Sequence, residues 1–417
     1  MIKFTRKVLD NGLKVILHRD TSTPMAAINL LYDVGSRDEN KTKTGSAHLL
    51  EHLMFGGSVN IPSYDKVAQK AGGENNAFTS NDITNYYIQL PAVNLETGFW
   101  LESDRMTGLN FTQKTFDIQK NVVIEEYKQR YLNQPYGDIW LLLRPLAYKK
   151  HPYKWPVIGT DISHIENMTL PDIEDFYNAH YCPSNAILSV AGNIKEDFCF
   201  ELADKWFGNI GRRKRTQRNL PAEPGQTKAR IMEVNRNVPY HEIILAYHMS
   251  SRDNKEYYSA DLISDILAGG KSSRFYKELV KERRIFSNLD AYITGDRDPG
   301  LFVVKGRLHE KTGMDKGHKE ILRMLDTMND TLPDTSELDK VKNKLEATKQ
   351  YTHTSILHKA IDLAYNELLG DAGKLNKEIE IYRDLKREEI REAARSIFNP
   401  INSSTLFYYS KTNKSRN

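Results

Sequence analysis

Alternating and continuous apolar runs divide the first half of the chain into strands and helices. The opening MIKFTRKVLDNGLKVILHRD predicts a hairpin that turns at Asp10-Asn11-Gly12, and the apolar run from Met25 to Asp33 predicts a further strand. NAILSVAGNI predicts another strand. Helical spacing occurs near residues 46–55, 63–71, 94–106, 113–132 and 196–207, and in TLPDIEDFYNAHY, where Thr169 is the expected N-cap.

A polar segment without apolar periodicity interrupts this pattern after the last of these helices. It is rich in Gly, Pro and charged residues, so we expect an N-terminal domain over 1–210, a linker over 211–228 and a C-terminal domain over 229–417. The run RRKR at 212–215 is interpreted as part of a solvated linker rather than a nucleic-acid patch.

The second half repeats a pattern of the first. Residues 30–57 and residues 244–270 each give an apolar strand, then Ser-Arg-Asp, then an amphipathic helix that ends in Gly-Gly. We interpret this as a duplicated domain. When the glycines are aligned, HLLEHLMFGG lies over DLISDILAGG, so Asp261, Ser264 and Asp265 stand where the first copy has His48, Glu51 and His52.

Composition and charge exclude several classes of protein. The 417 residues are 39% hydrophobic and 27% charged with a net charge of +4, which is typical of a globular protein and gives no reason to expect nucleic-acid binding. No apolar window reaches the length of a membrane span, and the start lacks the features of a signal peptide. We expect a cytoplasmic protein if the sequence is complete, and a periplasmic one if a signal peptide has been removed.

Two histidines and a glutamate lie close together in SAHLLEHLMFGG. His48 and His52 are four residues apart, on one face of the predicted helix, where both can bind a single Zn²⁺. Glu51 lies on the same side and can reach water at the metal without binding the metal itself. Thr44 or Ser46 is the expected N-cap. The alternative is a solvated helix with two incidental histidines, because this spacing alone is weak evidence.

A catalytic zinc needs a third protein ligand. NVVIEEYKQR offers Glu125 and Glu126, which lie about 100° apart on a helix, so normally only one of them faces the site. Glu126 shares a face with Val122, Val123 and Gln119, which weakly favours it. A surface Glu-Glu pair remains the alternative.

The motifs together resemble the pitrilysin/insulinase family of zinc metallopeptidases (inverzincins), and most closely its short bacterial members related to mitochondrial processing peptidase subunits. Similar segments occur in the family's order: NGLKVIL, VGSRDE, GSAHLLEHLMFGG, NNAFTSNDITNYY, NVVIEEYKQR, HPYKWPVIGT and YCPSNAILSVAGNI. The resemblance implies an α+β fold of two homologous domains, each a mainly antiparallel sheet packed with helices, which together form half of a clamshell.

The resemblance also implies the roles of individual residues. One Zn²⁺ per chain would be bound by His48, His52 and Glu126 in the N-terminal domain, with Glu51 as general base. Asn76, Ala77 and Phe78 would lie on an edge strand that pairs with the substrate backbone, although Asn75-Asn76 taken alone would suggest a turn.

Two positions depart from the family pattern. Gln119 replaces a glutamate that supports the ligand seven residues later. An Arg and a Tyr that bind substrate in the second domain are replaced by Val280 and Ser287. We therefore expect an endopeptidase that hydrolyses peptides or unfolded segments in a chamber, with a homologous partner subunit supplying the Arg/Tyr pair. A homodimer is an alternative assembly, and a zinc-holding structural or assembly subunit with little activity is the alternative function.

Overall fold

The computed structural model describes residues 1–110, 112–212 and 217–411. Its strands are β1 Thr5–Val8, β2 Lys14–Arg19, β3 Met25–Tyr32, β4 Glu74–Thr79, β5 Thr84–Pro91, β6 Ala186–Gly192, β7 Arg230–Arg236, β8 Glu242–His248, β9 Phe286–Ile293, β10 Leu301–Leu308 and β11 Ser403–Ser410. The α-helices of the first half are α1 Ser46–Leu53, α2 Tyr64–Lys70, α3 Leu95–Thr107, α4 Gln113–Tyr127, α5 Ile139–Ala147, α6 Ile162–Glu166, α7 Leu170–His180 and α8 Glu196–Phe207. Those of the second half are α9 Lys255–Ala268, α10 Met314–Asp330, α11 Thr335–Thr352, α12 Ile356–Leu368, α13 Lys374–Asp384 and α14 Arg387–Ile397. The strands and helices expected in the first half are all present, with shifts only at their ends, and the α+β fold is confirmed.

The chain divides into two compact units, and neither unit is a continuous segment. The first contains Met1–Gln129, Trp155–Leu220 and Lys349–Lys377, and the second contains Arg130–Lys154, Pro221–Thr348 and Glu378–Asn417. This division differs from the linear one expected from composition, because each unit takes one segment from the opposite half of the sequence.

The first unit is built on a six-stranded sheet. Its strand order is β1-β2-β6-β3-β5-β4, in which only β2 and β6 are parallel neighbours. Strand β4 is therefore an edge strand, which leaves one side of its backbone open to another extended chain. The helix that carries the two histidines, α1, packs against this edge strand.

Helix α12, from the late segment of the first unit, covers one face of this sheet. Ile356 and Ala360 pack with Ala27 and Ala191, and Leu363 packs with a further buried group that includes Ile16, Leu31 and Ile187. Burial of each large aliphatic side chain contributes roughly 1.5–3 kcal/mol, so α12 is an integral part of this unit.

Helix α3 covers the opposite face at close range. A β-carbon at Gly98 would lie 2.4 Å from Cδ1 of Ile28 and 3.0 Å from Cδ2 of Leu90. Only glycine allows this approach of helix to sheet without displacing the buried side chains.

The second unit repeats the topology of the first. Its five-stranded sheet has the order β7-β11-β8-β10-β9, with β7 and β11 parallel and every other pair antiparallel. These strands match β2-β6-β3-β5-β4 in order and in pairing sense. The shared topology agrees with the duplication inferred from the sequence. One face of this sheet packs on α5, through residues that include Ile139 and Leu143, and the other on α9, α10 and α14.

The expected linker is ordered where it is described. The guanidinium of Arg218 donates to Oδ1 of Asp38 at 2.6 Å and to the carbonyl oxygen of Asp33 at 2.7 Å, both within the first unit. Residues 213–216, which include most of the RRKR run, lie outside the described residues. Among the helices of the described ranges, none is both long and apolar enough to cross a membrane.

Candidate metal centre

Helix α1 starts from a glycine rather than from a hydroxyl cap. Gly45 is the N-cap with φ of 97°, a left-handed conformation that favours glycine. The buried carboxylate of Glu39 accepts hydrogen bonds from the backbone N–H groups of Gly45 and Ala47, each at 2.9 Å. The expectation that Thr44 or Ser46 caps this helix was therefore wrong, because a carboxylate from the preceding loop satisfies the free amides instead.

His48, His52 and Glu126 converge at the junction of α1 and α4. Each offers one ligand atom, and the three atoms lie within 4.8 Å of one another. Oε2 of Glu126 is 3.8 Å from Nε2 of His48 and 3.4 Å from Nε2 of His52. Ligand atoms around a tetrahedral Zn²⁺ with bonds of about 2.0–2.2 Å are about 3.3–3.6 Å apart, so the Glu126–His52 distance matches a bound ion and the wider separations require a small inward movement of the side chains. These residues are the only such group of three or more donors in the described part of the chain.

The structure distinguishes the two adjacent glutamates of α4. The Glu125 side chain is 71% exposed and pairs with Lys128 at 2.7 Å, whereas the Glu126 side chain is only 18% exposed and faces the histidines. The sequence favoured Glu126 because it shares a helical face with Val122, Val123 and Gln119. That expectation of an apolar face was wrong for Val122, which is exposed. The buried stripe of α4 is formed by Phe116, Val123, Ile124 and Tyr127.

Gln119 lies on α4 two turns before Glu126 and is half-buried. This places it on the helix that carries the third candidate ligand. It is a neutral amide, so it brings no charge to that helix.

The Glu51 carboxylate lies beside this cluster and is held by the end of the edge strand. Oγ1 of Thr79 donates a hydrogen bond of 2.5 Å to Oε2 of Glu51. Burial raises the pKa of Glu51, while the Thr79 hydroxyl, the nearby His52 and the Thr79 backbone N–H act in the opposite direction. A carboxylate of raised pKa is a stronger base than a free one, which suits it to accepting and returning a proton.

Asn76, Ala77 and Phe78 lie in the middle of β4. The segment is a strand paired with β5, with Asn76 opposite Tyr87 and Phe78 opposite Asn85, and not the turn that Asn75-Asn76 alone would suggest. Side-chain exposure alternates along β4, as expected for a strand with one face towards the protein. These residues therefore border the same region as Glu51.

Two side chains that support this region were not expected from the sequence. Glu39 caps α1, and Thr79 holds Glu51. Glu39 follows Ser-Arg-Asp in a polar loop, and nothing in its local pattern indicates that the loop folds back onto the helix. Thr79 directly follows Asn-Ala-Phe in the sequence. Its place on the expected edge strand was the one sequence feature that could have indicated a role near the site.

Among the described residues, no comparable group of metal-binding side chains includes the equivalent helix of the second unit, α9. Asp261 accepts a 2.6 Å hydrogen bond from the Tyr382 hydroxyl, and Asp265 pairs with Lys344 at 2.9 Å. These carboxylates therefore serve packing within the second unit.

Val280 and Ser287 serve structural contacts in the same unit. Val280 packs against the core, and Ser287 donates to the carbonyl oxygen of Arg307 at 3.2 Å. Neither side chain is a cation or a phenol that could contact an oxyanion.

Comparison with known proteins gives a consistent family assignment. The model "Insulinase (Peptidase family M16)" matches residues 14–161, and the model "Peptidase M16 inactive domain" matches residues 167–345. The chain is 31% identical over 411 residues to the zinc protease PqqE of Helicobacter pylori, covering 96% of this chain and 91% of that protein. It is 24% identical over 410 residues to the uncharacterized zinc protease YmxG of Bacillus subtilis, covering 95% and 96%.

Solved structures agree with this assignment. A protease from Helicobacter pylori, 31% identical, superposes with a TM-score of 0.92 over 98% of this chain and 100% of that one. The periplasmic protease PqqL of Escherichia coli, 17% identical, has the same fold, with a TM-score of 0.81 over 99% of this chain and 48% of that one. The two family models and these relatives cover both halves of the chain, which therefore belongs to the insulinase family of peptidases, peptidase family M16.

Proposed function

We propose that this chain is a zinc-dependent endopeptidase with one Zn²⁺ per chain, bound by His48, His52 and Glu126. The observation that carries the proposal is the convergence of these three donors beside the carboxylate of Glu51. The names of relatives agree, because two of those with near-complete coverage are named zinc proteases, one of them as uncharacterized.

The residues of the site divide the chemistry between them. When bound, Zn²⁺ supplies a Lewis acid for a peptide carbonyl and for water. Oε2 of Glu51 accepts the Thr79 hydrogen bond, which leaves Oε1 as the atom that takes a proton from the attacking water. The same oxygen then returns that proton to the leaving amine as the C–N bond breaks.

The substrate is a peptide or an unfolded segment bound as an extra strand. Asn76, Ala77 and Phe78 lie on the edge strand β4, whose outer side offers backbone donors and acceptors. Pairing of this kind depends on main-chain groups and imposes little sequence preference. In the proposed assembly, two clamshell halves enclose the chamber in which cleavage occurs.

A homologous partner subunit supplies the Arg/Tyr pair that Val280 and Ser287 do not provide. A donor to the oxyanion typically contributes about 10²- to 10³-fold to kcat, so the chain alone should be slow. The proposal is a heterodimer, with a homodimer as the competing assembly. Full activity of the purified chain at a concentration where it is monomeric would exclude an obligate partner.

The central experiment compares two conservative variants of acidic residues in this region. Glu51→Gln should keep about one zinc per chain and lose peptidase activity, because the amide cannot accept the proton. Glu125→Gln is the matched control, since Glu125 is exposed and pairs with Lys128, and it should keep both zinc and activity.

Unchanged turnover in Glu51→Gln would remove Glu51 from the mechanism. Zinc binding with no peptidase activity, even when the homologous partner is added, would instead support the alternative role as a zinc-holding structural or assembly subunit.

A further inference from the structure

Thr79 ends the edge strand and contacts the proposed general base through its side chain. Its hydroxyl donates to Oε2 of Glu51 at 2.5 Å. A serine or threonine hydroxyl at a strand end more often bonds to a nearby backbone group. Here the hydroxyl is instead directed at a carboxylate on a different element, helix α1.

Alternate residues of β4 direct their backbone N–H and C=O groups away from β5, towards the open side of the sheet. The N–H of Ser80 donates to the carbonyl oxygen of Ile83, so Ser80 faces the neighbouring strand β5. Because successive residues of a strand face opposite sides, the outward positions are Thr79, Ala77 and Asn75. The N–H of Ala77 agrees with this assignment, since it donates to its neighbour's side chain, Oδ1 of Asn76, at 2.8 Å.

This arrangement limits where a peptide can pair. An incoming strand can bond to the outward groups of Asn75 and Ala77, where it would displace the Asn76 side chain from Ala77. The available edge ends at Thr79, because β4 ends there and the carbonyl oxygens of Ser80 and Asn81 beyond it accept hydrogen bonds from the N–H groups of Ser36 and Arg37. A peptide paired with β4 must therefore leave the edge near Thr79, beside Glu51.

A single loop fixes both partners of this contact. The carboxylate of Glu39 in the loop caps α1, the helix of Glu51. The N–H groups of Ser36 and Arg37 in the same loop donate to Ser80 and Asn81 in the turn after β4, at 3.1 and 3.0 Å. Thr79 and Glu51 are thus held at a fixed separation.

We propose that Thr79 is a positioning residue for Glu51 and marks the end of the substrate-pairing edge. Its hydroxyl fixes one carboxylate oxygen and leaves Oε1 for water, and its place at the end of β4 sets the point, beside that oxygen, where the bound peptide stops pairing with the strand. This inference rests on the proposed peptidase function and adds a residue and a register to it.

Thr79→Val tests the inference, because valine keeps the β-branched shape and lacks the hydroxyl. A displaced base should reduce kcat about 10- to 100-fold, with KM within about twofold of wild type. Zinc content should stay at the wild-type value. The Kd of an uncleaved peptide for the metal-free protein should also be unchanged, since Asn75 and Ala77 remain. Thr79→Ser restores the donor and should recover kcat to within about threefold of wild type.

Thr84→Val is the control for loss of a hydroxyl at the same end of the hairpin. Thr84 lies opposite Thr79, but its hydroxyl donates to the carbonyl oxygen of Val34 and not to Glu51. Its kcat should remain near wild type even where its stability falls.

Wild-type kcat in Thr79→Val, or equal loss in Thr79→Val and Thr79→Ser, would overturn the positioning role. Glu51→Gln measured in the same series separates this failure from that of the function. Loss of activity in Glu51→Gln with a normal Thr79→Val rejects only the inference about Thr79. Equal activity in wild type and Glu51→Gln rejects the proposed mechanism itself.

Discussion

Removal of the Glu39 carboxylate should loosen the helix that carries His48, Glu51 and His52. Glu39→Ala deletes both acceptors of the Gly45 and Ala47 amides, which are buried. Each buried N–H donor left without an acceptor costs about 1–3 kcal/mol, and relief of the cost of burying the Glu39 carboxyl group, whose pKa burial raises well above the usual range, offsets part of this. The expected loss in local stability is therefore about 2–4 kcal/mol.

Amide hydrogen exchange of α1 in the metal-free protein measures this loss directly. A chain with two units need not unfold in one step, so a local measurement is preferable to a global unfolding curve. The exchange rate of α1 should rise about 30- to 900-fold, since each 1.36 kcal/mol is a factor of ten. Glu125→Ala on α4 is the control and should change little, because that side chain is 71% exposed. An exchange rate in Glu39→Ala within about threefold of wild type would refute the capping argument.

Three further predictions follow from contacts in the first unit and at the metal centre. The Lys359 ammonium beside Asp20 holds the pKa of that carboxyl below its usual range. This ion pair therefore stabilises the folded protein above about pH 4, and the stabilisation is lost as pH falls through the lower pKa of the folded state. Urea unfolding of Asp20→Asn should thus differ from wild type at pH 7 and converge with it in acid, and a constant difference would contradict this. Leu363→Ala should lower the local stability of α12 by about 2–5 kcal/mol, measured by amide hydrogen exchange, because Leu363 is fully buried, and a loss below about 1 kcal/mol would contradict its packing role. Zinc removal by a chelator should lower the thermal midpoint, because bound metal contributes about 4 kcal/mol at a thousandfold excess over Kd. A Glu126→Ala variant that no longer binds zinc is the control, and the chelator should not change its thermal midpoint.

Local patterns in the sequence predicted the elements well because their causes are local. The spacing of His48 and His52 on one helix follows from the helical repeat, and Thr169 does cap α7. The third candidate ligand could not be settled this way. Which of Glu125 and Glu126 faces the histidines depends on which side of α4 packs on α1. That packing is a tertiary contact, which the local sequence does not specify.

Features that depend on distant parts of the chain were not predictable from local patterns. The Glu39 cap requires a loop to fold back, and the Thr79 contact requires an edge strand to meet a helix. Composition indicated the break near 211–228, but it carries no information about which sheet a helix covers. The positions of α5 and α12 therefore became evident only from the structure.

The exchange of α5 and α12 between the halves of the sequence has a consequence for biosynthesis. All six strands of the first sheet have been synthesised once the ribosome passes Gly192, but α12 begins only at Ile356. Until then the face that contains Ala27, Leu31 and Ile187 lacks its covering helix. The nascent chain must therefore keep an incomplete sheet from aggregating while most of the second unit is translated. A chain interrupted between these two points would leave this apolar face exposed, so it should aggregate more readily than the complete first unit.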